Sequence, residues 1–160
     1  SVNGSVGTKL YASNYMITSL TPKAAAYYMA RYNERLDENF TQEKASFAQH
    51  KAEMAEKGDI NLHVSVVKPG GESLGYDVSY YEGMLQMPEG LTRQAIVDVA
   101  AQLMDGEAVN DTAQTYYSFS FYGNYVGFSS PYLKLNETQM NAVITRLEAL
   151  QALMGDYKGR

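Results

Sequence analysis

The chain has two histidines, His50 and His63, and no cysteine, so disulfides, thiolate metal sites and a cysteine nucleophile are excluded. What remains for covalent chemistry is a serine activated by a histidine that a carboxylate orients. From Ile60 to Val67 and from Leu74 to Tyr81 apolar and polar residues alternate with the period of a half-buried strand. Matching the apolar faces pairs Val66 with Leu74 and Val64 with Tyr76, and sets His63 opposite Asp77 with Ser65 and Ser79 on the same face. These four carry a hydrolase reading, with His63 as base, Asp77 as its orienting partner and a serine as nucleophile. Against it, the chain has no Gly-x-Ser-x-Gly elbow, a flat strand offers no oxyanion hole, and a cross-strand His–Asp pair stabilises a sheet without catalysing anything.

Other chemistries find less. His50 and Glu53 lie three residues apart on a helical pattern and His63 could join them, but metals need three or four convergent ligands, and no EF-hand spacing occurs. No metal and no cofactor is expected. Pro69-Gly70-Gly71 is the nearest approach to a phosphate cradle and sits between two strands, where no helix N-terminus backs it. Carboxylate pairs for glycoside hydrolysis could be drawn from Asp77, Glu82, Asp98, Asp105, Glu107 and Asp111, yet 18 acidic residues guarantee coincidental pairs. The segment from Tyr122 to Phe128 resembles the aromatic sheet motif of RNA-recognition domains. A net charge of −5 and scattered basic residues exclude the electrostatics that nucleic-acid binding needs. Asn39, Asn110 and Asn136 begin Asn-x-Thr sequons that chance explains.

Tyrosine is the compositional outlier, with 14 Tyr against 5 Phe and no Trp. A β-rich core with hydroxyls reaching water explains this, and so does a binding surface, since Tyr gives large contact area at low entropy cost. If both hairpins share a sheet, Tyr81, Tyr116, Tyr122 and Tyr125 join Ser65, Ser79, Ser118, Ser120 and His63 on one uncharged, hydroxyl-rich face. Such a face suits a glycan, a peptide or a protein. The expected function is a non-catalytic binding or assembly module. The alternatives are a small hydrolase and a structural oligomerising domain that uses its last helix or a hairpin edge.

The elements that would position these residues are well signalled. Residues 1–13, with several Gly and Ser, read as a flexible tether, which favours a periplasmic or cell-surface protein such as a lipoprotein. A short strand is expected at Tyr15 to Ser19. Thr21 and Pro22 start a long helical segment over 22–57, with a bend or break near Asn39 and a stop at Gly58. Thr92 caps a helix over 92–104, with Leu91 and Ile96 as a hydrophobic staple, and residues 107–113 read as a loop. Asn136 caps a last helix over 137–154 that ends at Gly155, leaving a frayed tail at 156–160. The two β-hairpins fall at about 60–82 and 115–134, the second around a Gly123-Asn124 turn that pairs Tyr122 with Tyr125. The fold class is α+β, one domain over 14–155, with an antiparallel sheet and its helices packed on one face. No apolar run is long enough to span a membrane.

Overall fold

The computed structural model describes residues 21–83, 86–109 and 113–157. The expected tether at 1–13, the strand at Tyr15 to Ser19, Asn110, Asp111 and the last three residues of the tail lie outside these ranges. Three helices and a six-stranded antiparallel sheet form an α+β fold: α1 (Pro22–Met54), β1 (Ile60–Val67), β2 (Ser73–Tyr80), α2 (Arg93–Met104), β3 (Glu107–Ala108), β4 (Tyr116–Gly123), β5 (Val126–Ser129), β6 (Leu133–Lys134) and α3 (Glu137–Tyr157).

All three expected caps are made. The Thr21 hydroxyl accepts from the Ala24 amide at 3.2 Å, Thr92 from Ala95 at 3.0 Å, and the Asn136 carboxamide from Gln139 at 2.8 Å. Each satisfies an amide that its helix cannot. The break near Asn39 does not occur. Thr41 turns its hydroxyl back to the Asp37 carbonyl at 2.9 Å and so bonds within the helix, while Phe40 and Phe47 on either side of it are both buried. Helix α1 ends before Gly58, with Ala55 as its C-cap, and Gly58 adopts a φ of 85° in the turn that leads to β1. Helix α3 runs through Gly155 to Tyr157. Gly155 keeps a negative φ, so it is an interior glycine that weakens the helix by roughly 1 kcal/mol without stopping it.

The strands order as β2-β1-β4-β6-β3, with β5 also on β4. β1 and β2 pair in the register read from the sequence, His63 opposite Asp77. β1 then pairs through its other edge with β4, bringing Leu62 against Phe121, Val64 against Phe119 and Val66 against Tyr117. The two hairpins therefore form one sheet. Residues 107–108, expected in a loop, form β3 against β6.

The second hairpin turns one residue later than expected. Gly123 pairs with Val126 and Tyr122 with Gly127, so Asn124 and Tyr125 are the two turn residues, at φ 52° and 66°. Gly123 stays in the strand because a Cβ there would come within 2.6 Å of Ile60 Cγ2 and 3.1 Å of the Asp59 carbonyl. Phe121 thereby faces Phe128, with ring centroids 6.4 Å apart, and the Tyr122 ring lies over Gly127. After β5, Pro131 brings no amide to the ladder. β5 pairs Ser120 with Ser129, whereas β6 resumes with Tyr117 opposite Leu133, one residue out of step.

The inner sheet face, with Leu62, Val64, Val66, Val78, Tyr117 and Phe121, packs with Phe47 and Met54 of α1, Ile96 and Leu103 of α2, and Val143 and Leu147 of α3 in a single core. Helix side chains also cover strand edges. Gln151 accepts from the Asp77 amide of β2 and Glu43 from the Ser129 amide of β5, both at 2.8 Å, which blunts two sites of edge pairing.

Tyr117 fastens sheet to helix. Fully buried, it donates its hydroxyl at 2.6 Å to the Leu103 carbonyl in the last turn of α2, which otherwise accepts from the Gly106 amide at a longer 3.3 Å. Tyr117→Phe should cost about 1–2 kcal/mol in urea unfolding. Burial, with the Asp105 carboxylate adding to it, holds this hydroxyl's pKa well above its ordinary value of 10.0. The native state thus keeps a proton that the unfolded chain gives up. The contribution is complete below pH 10.0 and is lost as pH rises from there towards the native value. The alkaline fall in unfolding midpoint should be shallower in Tyr117→Phe than in the parent.

Candidate binding site

The outer face carries none of the described helices, and its side chains fall in rows across the strands. One row is Ser79, Asn61, Tyr122 and Gly127, and the next is Asp77, His63, Ser120 and Ser129. Beyond these come Gly75, Ser65 and Ser118, then Ser73, Val67 and Tyr116. Hydroxyls therefore dominate the face, as the alternation implied.

The expected tyrosines do not all meet. Tyr81, Tyr122 and Tyr125 are exposed at one end, around a shallow groove of about 390 Å³ that Asp59, Asn61 and Ser79 also line. Tyr116 lies six residues along β4, at the other end, half-buried with its ring centroid 5.1 Å from that of Tyr132. Ser118 and Ser120 occupy the rows between, half-buried.

The groove has a fixed polar floor. Asn61 donates through Nδ2 to Ser79 Oγ at 2.7 Å and to Asp77 Oδ1 at 2.8 Å. Ser79 is 5% exposed, so this pair is held against the strands. Asp59 Oδ1 accepts from the Glu82 amide at 2.7 Å. Asn61 and Asp59 were not singled out in the sequence. Asn61 was on the outer face by alternation, opposite Ser79 in the same register that paired His63 with Asp77, and this was the signal available.

Behind the groove, Arg93 at the start of α2 ties its loops together. Its side chain is only 14% exposed; Nε donates to the Gly58 carbonyl at 2.9 Å, Nη2 to Glu82 Oε1 at 3.0 Å, and the guanidinium stacks 4.4 Å from the Tyr80 ring centroid. Glu82 Oε1 also accepts from the Gly58 amide at 2.7 Å. Glu82 is mostly exposed, so its share of the pairing is screened, and the carbonyl bond and the stacking dominate. Arg93→Ala should lower stability by about 2 kcal/mol. Arg93→Lys should recover little of it, because an ammonium cannot donate in two directions and stack at once. Thermal unfolding of the two variants side by side checks this.

The hydrolase residues are neighbours without forming a relay. His63 Nδ1 stands 3.9 Å from Asp77 Oδ2, beyond hydrogen-bond range, while Asp77 Oδ1 is engaged by Asn61. Ser79 turns towards Asn61, and Ser65 lies two residues on from His63 along β1. The serine directly across from His63 is Ser120, which only the β1–β4 pairing places there. His50 bonds through Nδ1 to the Ser46 carbonyl at 2.8 Å and packs on Phe128, a structural position on α1. Among the described residues no three His, Asp or Glu side chains converge as metal ligands, and no helix is long and apolar enough to cross a membrane.

Fold and site together define an α+β protein with a helix-backed antiparallel sheet whose outer face ends in exposed tyrosines. Neither a family model, nor a curated protein, nor a solved structure matches the chain.

Proposed function

We propose that the protein is a non-catalytic binding module that engages its partner at the groove of Tyr81, Tyr122 and Tyr125. The observation that carries this reading is Tyr125. It is 110% exposed and has a φ of 66°, a backbone region that disfavours bulky L-residues. The structure gains no burial from the ring and bears the strain of the backbone. Strain of this kind clusters at sites that contact ligands. A rigid aromatic on a tight turn keeps its contact area with few rotamers to lose on binding. The Gly- and Ser-containing sequence of residues 1–13 has the composition of a tether, which suits presentation of such a module at a cell surface or in a periplasm.

The test is a small-molecule fragment screen read by amide NMR shifts. Hits should converge on residues 59–61, 79–82 and 122–126. Hits that scatter, or that converge on the helices, overturn the reading.

A hydrolase is the second reading, favoured by the row Asp77, His63 and Ser120. It requires turnover of an activated ester that Ser120→Ala abolishes and Tyr125→Gly leaves intact.

A further inference from the structure

From the groove's chemistry we infer its ligand class: an uncharged carbohydrate chain, bound with its sugar rings lying on the tyrosines. This rests on the binding-module reading above and narrows it.

Three features carry the inference. The first is the spread of the rings. No ring-to-ring contact joins Tyr81, Tyr122 and Tyr125 among the described residues, so they are separate platforms along an open groove. A pyranose presents a face of polarised C–H bonds to such a ring, whose π face is electron-rich.

The second is the arrangement of acceptors. Asn61 has both amide hydrogens committed to Asp77 and Ser79, which fixes the carboxamide and leaves Oδ1 an acceptor without a donor among the described residues. Asp59 holds the Glu82 amide with Oδ1 and has Oδ2 free of the described hydrogen bonds. Ser79 accepts from Asn61 and retains its own proton to donate. Two oriented acceptors and a hydroxyl beside aromatic platforms match the hydroxyls of a sugar, which both donate and accept. A few placed polar groups among apolar contacts is the usual makeup of a small-ligand site.

The third is charge. Asp59 lines the groove, and Asp77 and Glu82 stand next to its lining residues. The guanidinium behind the groove, that of Arg93, is engaged by Glu82 and the Gly58 carbonyl. An anionic chain would bring its charge to carboxylates, and none of the residues that line the groove is a cation that could meet it. The ligand is therefore a neutral glycan. A cation would also suit carboxylates and tyrosines, but a small one is best held by rings closed around it, and these rings make no contact with one another beside an open groove.

The experiment is an amide NMR titration of the whole chain with neutral hexasaccharides (β-1,4-glucan, β-1,4-xylan, chitin, α-1,4-glucan). A polyuronate and tetramethylammonium serve as charged comparisons. At least one neutral chain should shift the resonances of Asn61, Tyr81, Tyr122 and Tyr125 at concentrations up to about 10 mM. Tyr122→Ala should weaken that binding at least about tenfold. Because Tyr122 is exposed, the variant should fold, and its unshifted helix resonances verify this. Silence from every neutral chain, preference for the polyuronate or the ammonium ion, or binding that Tyr122→Ala leaves unchanged overturns the inference. If fragments still converge on the groove in that event, the ligand class is wrong and the binding module stands. If fragments do not converge there either, both fall.

Discussion

Replacing Tyr125 with glycine should make the protein more stable and weaken its binding, two effects of opposite sign from one substitution. The turn at Asn124 and Tyr125 has positive φ at both positions, 52° and 66°. Two-residue hairpin turns of this kind favour Asn followed by Gly, because the second position puts a Cβ against its own carbonyl. That clash costs roughly 1–2 kcal/mol, while glycine's greater freedom in the unfolded chain costs roughly 0.5–1 kcal/mol. The steric gain is the larger. No burial is lost with the ring, which is 110% exposed. A net stabilisation of about 0.5–1 kcal/mol is expected, read as a higher urea midpoint. Binding should fall by about tenfold or more, the usual cost of removing an aromatic contact at the centre of an interface. Tyr125→Ala separates the causes, since it deletes the ring but keeps the Cβ. It should lose the binding without the stabilisation. If Tyr125→Gly lost stability, the ring would have a structural role, and the case for a ligand would go with it.

The turn also shows where the sequence could be read and where it could not. Alternation gave the faces of every long strand, and the β1–β2 register followed from matching apolar positions, down to His63 against Asp77. Caps at Thr21, Thr92 and Asn136 could be read because capping is a local hydrogen bond. The Gly123-Asn124 dipeptide misled because glycine has two uses. In a turn it offers positive φ; here it makes room for Ile60 and the Asp59 carbonyl, contacts distant in sequence that no local pattern encodes. The faces survived this error, because moving the turn by one residue shifts the pairing by two and keeps parity. Likewise Asp37, Asn39 and Thr41 are poor helix formers, yet burial of Phe40 and Phe47 carries α1 through them.

The site was legible in part for the same reason. That Tyr81 and Tyr122 face outward follows from alternation; that they share an end of the sheet follows from the β1–β4 pairing. This joins Ile60 to Gly123 and Asn61 to Tyr122 across a gap in sequence that contains α2. The same pairing sets Tyr116 at the far end and puts Ser120 beside His63. Side-chain commitments such as Asn61 to Ser79, or Arg93 to Gly58, depend on geometry after folding and leave no periodic trace.

Gly106→Ala should be among the most damaging single-methyl additions in the chain, and Tyr117→Phe should rescue it. Gly106 follows the C-cap of α2, is buried, and has a φ that any residue can adopt, so only space forbids a side chain. A methyl there would overlap the Tyr117 hydroxyl and come within 3.0 Å of both Tyr117 Cζ and Leu133 Cβ. Tyr117 is fully buried, and its hydroxyl is committed to the Leu103 carbonyl at 2.6 Å. To admit the methyl, the phenol must swing away and break that bond. Overpacking costs about 1–3 kcal/mol, and the buried hydroxyl left unpaired adds a similar amount, while the Leu103 carbonyl still accepts from the Gly106 amide at 3.3 Å, so a loss of about 3–5 kcal/mol is expected. With phenylalanine at 117 the overlapping oxygen is gone and its hydrogen bond is already lost. Adding Gly106→Ala should then cost only the residual contacts with the ring and Leu133, about 1 kcal/mol. The double variant should accordingly be more stable than Gly106→Ala alone, with a coupling of at least about 2 kcal/mol in a double-mutant cycle. Additive losses would mean that the methyl acts on the Gly106 backbone, and that the hydroxyl is not what holds this corner of sheet and helix together.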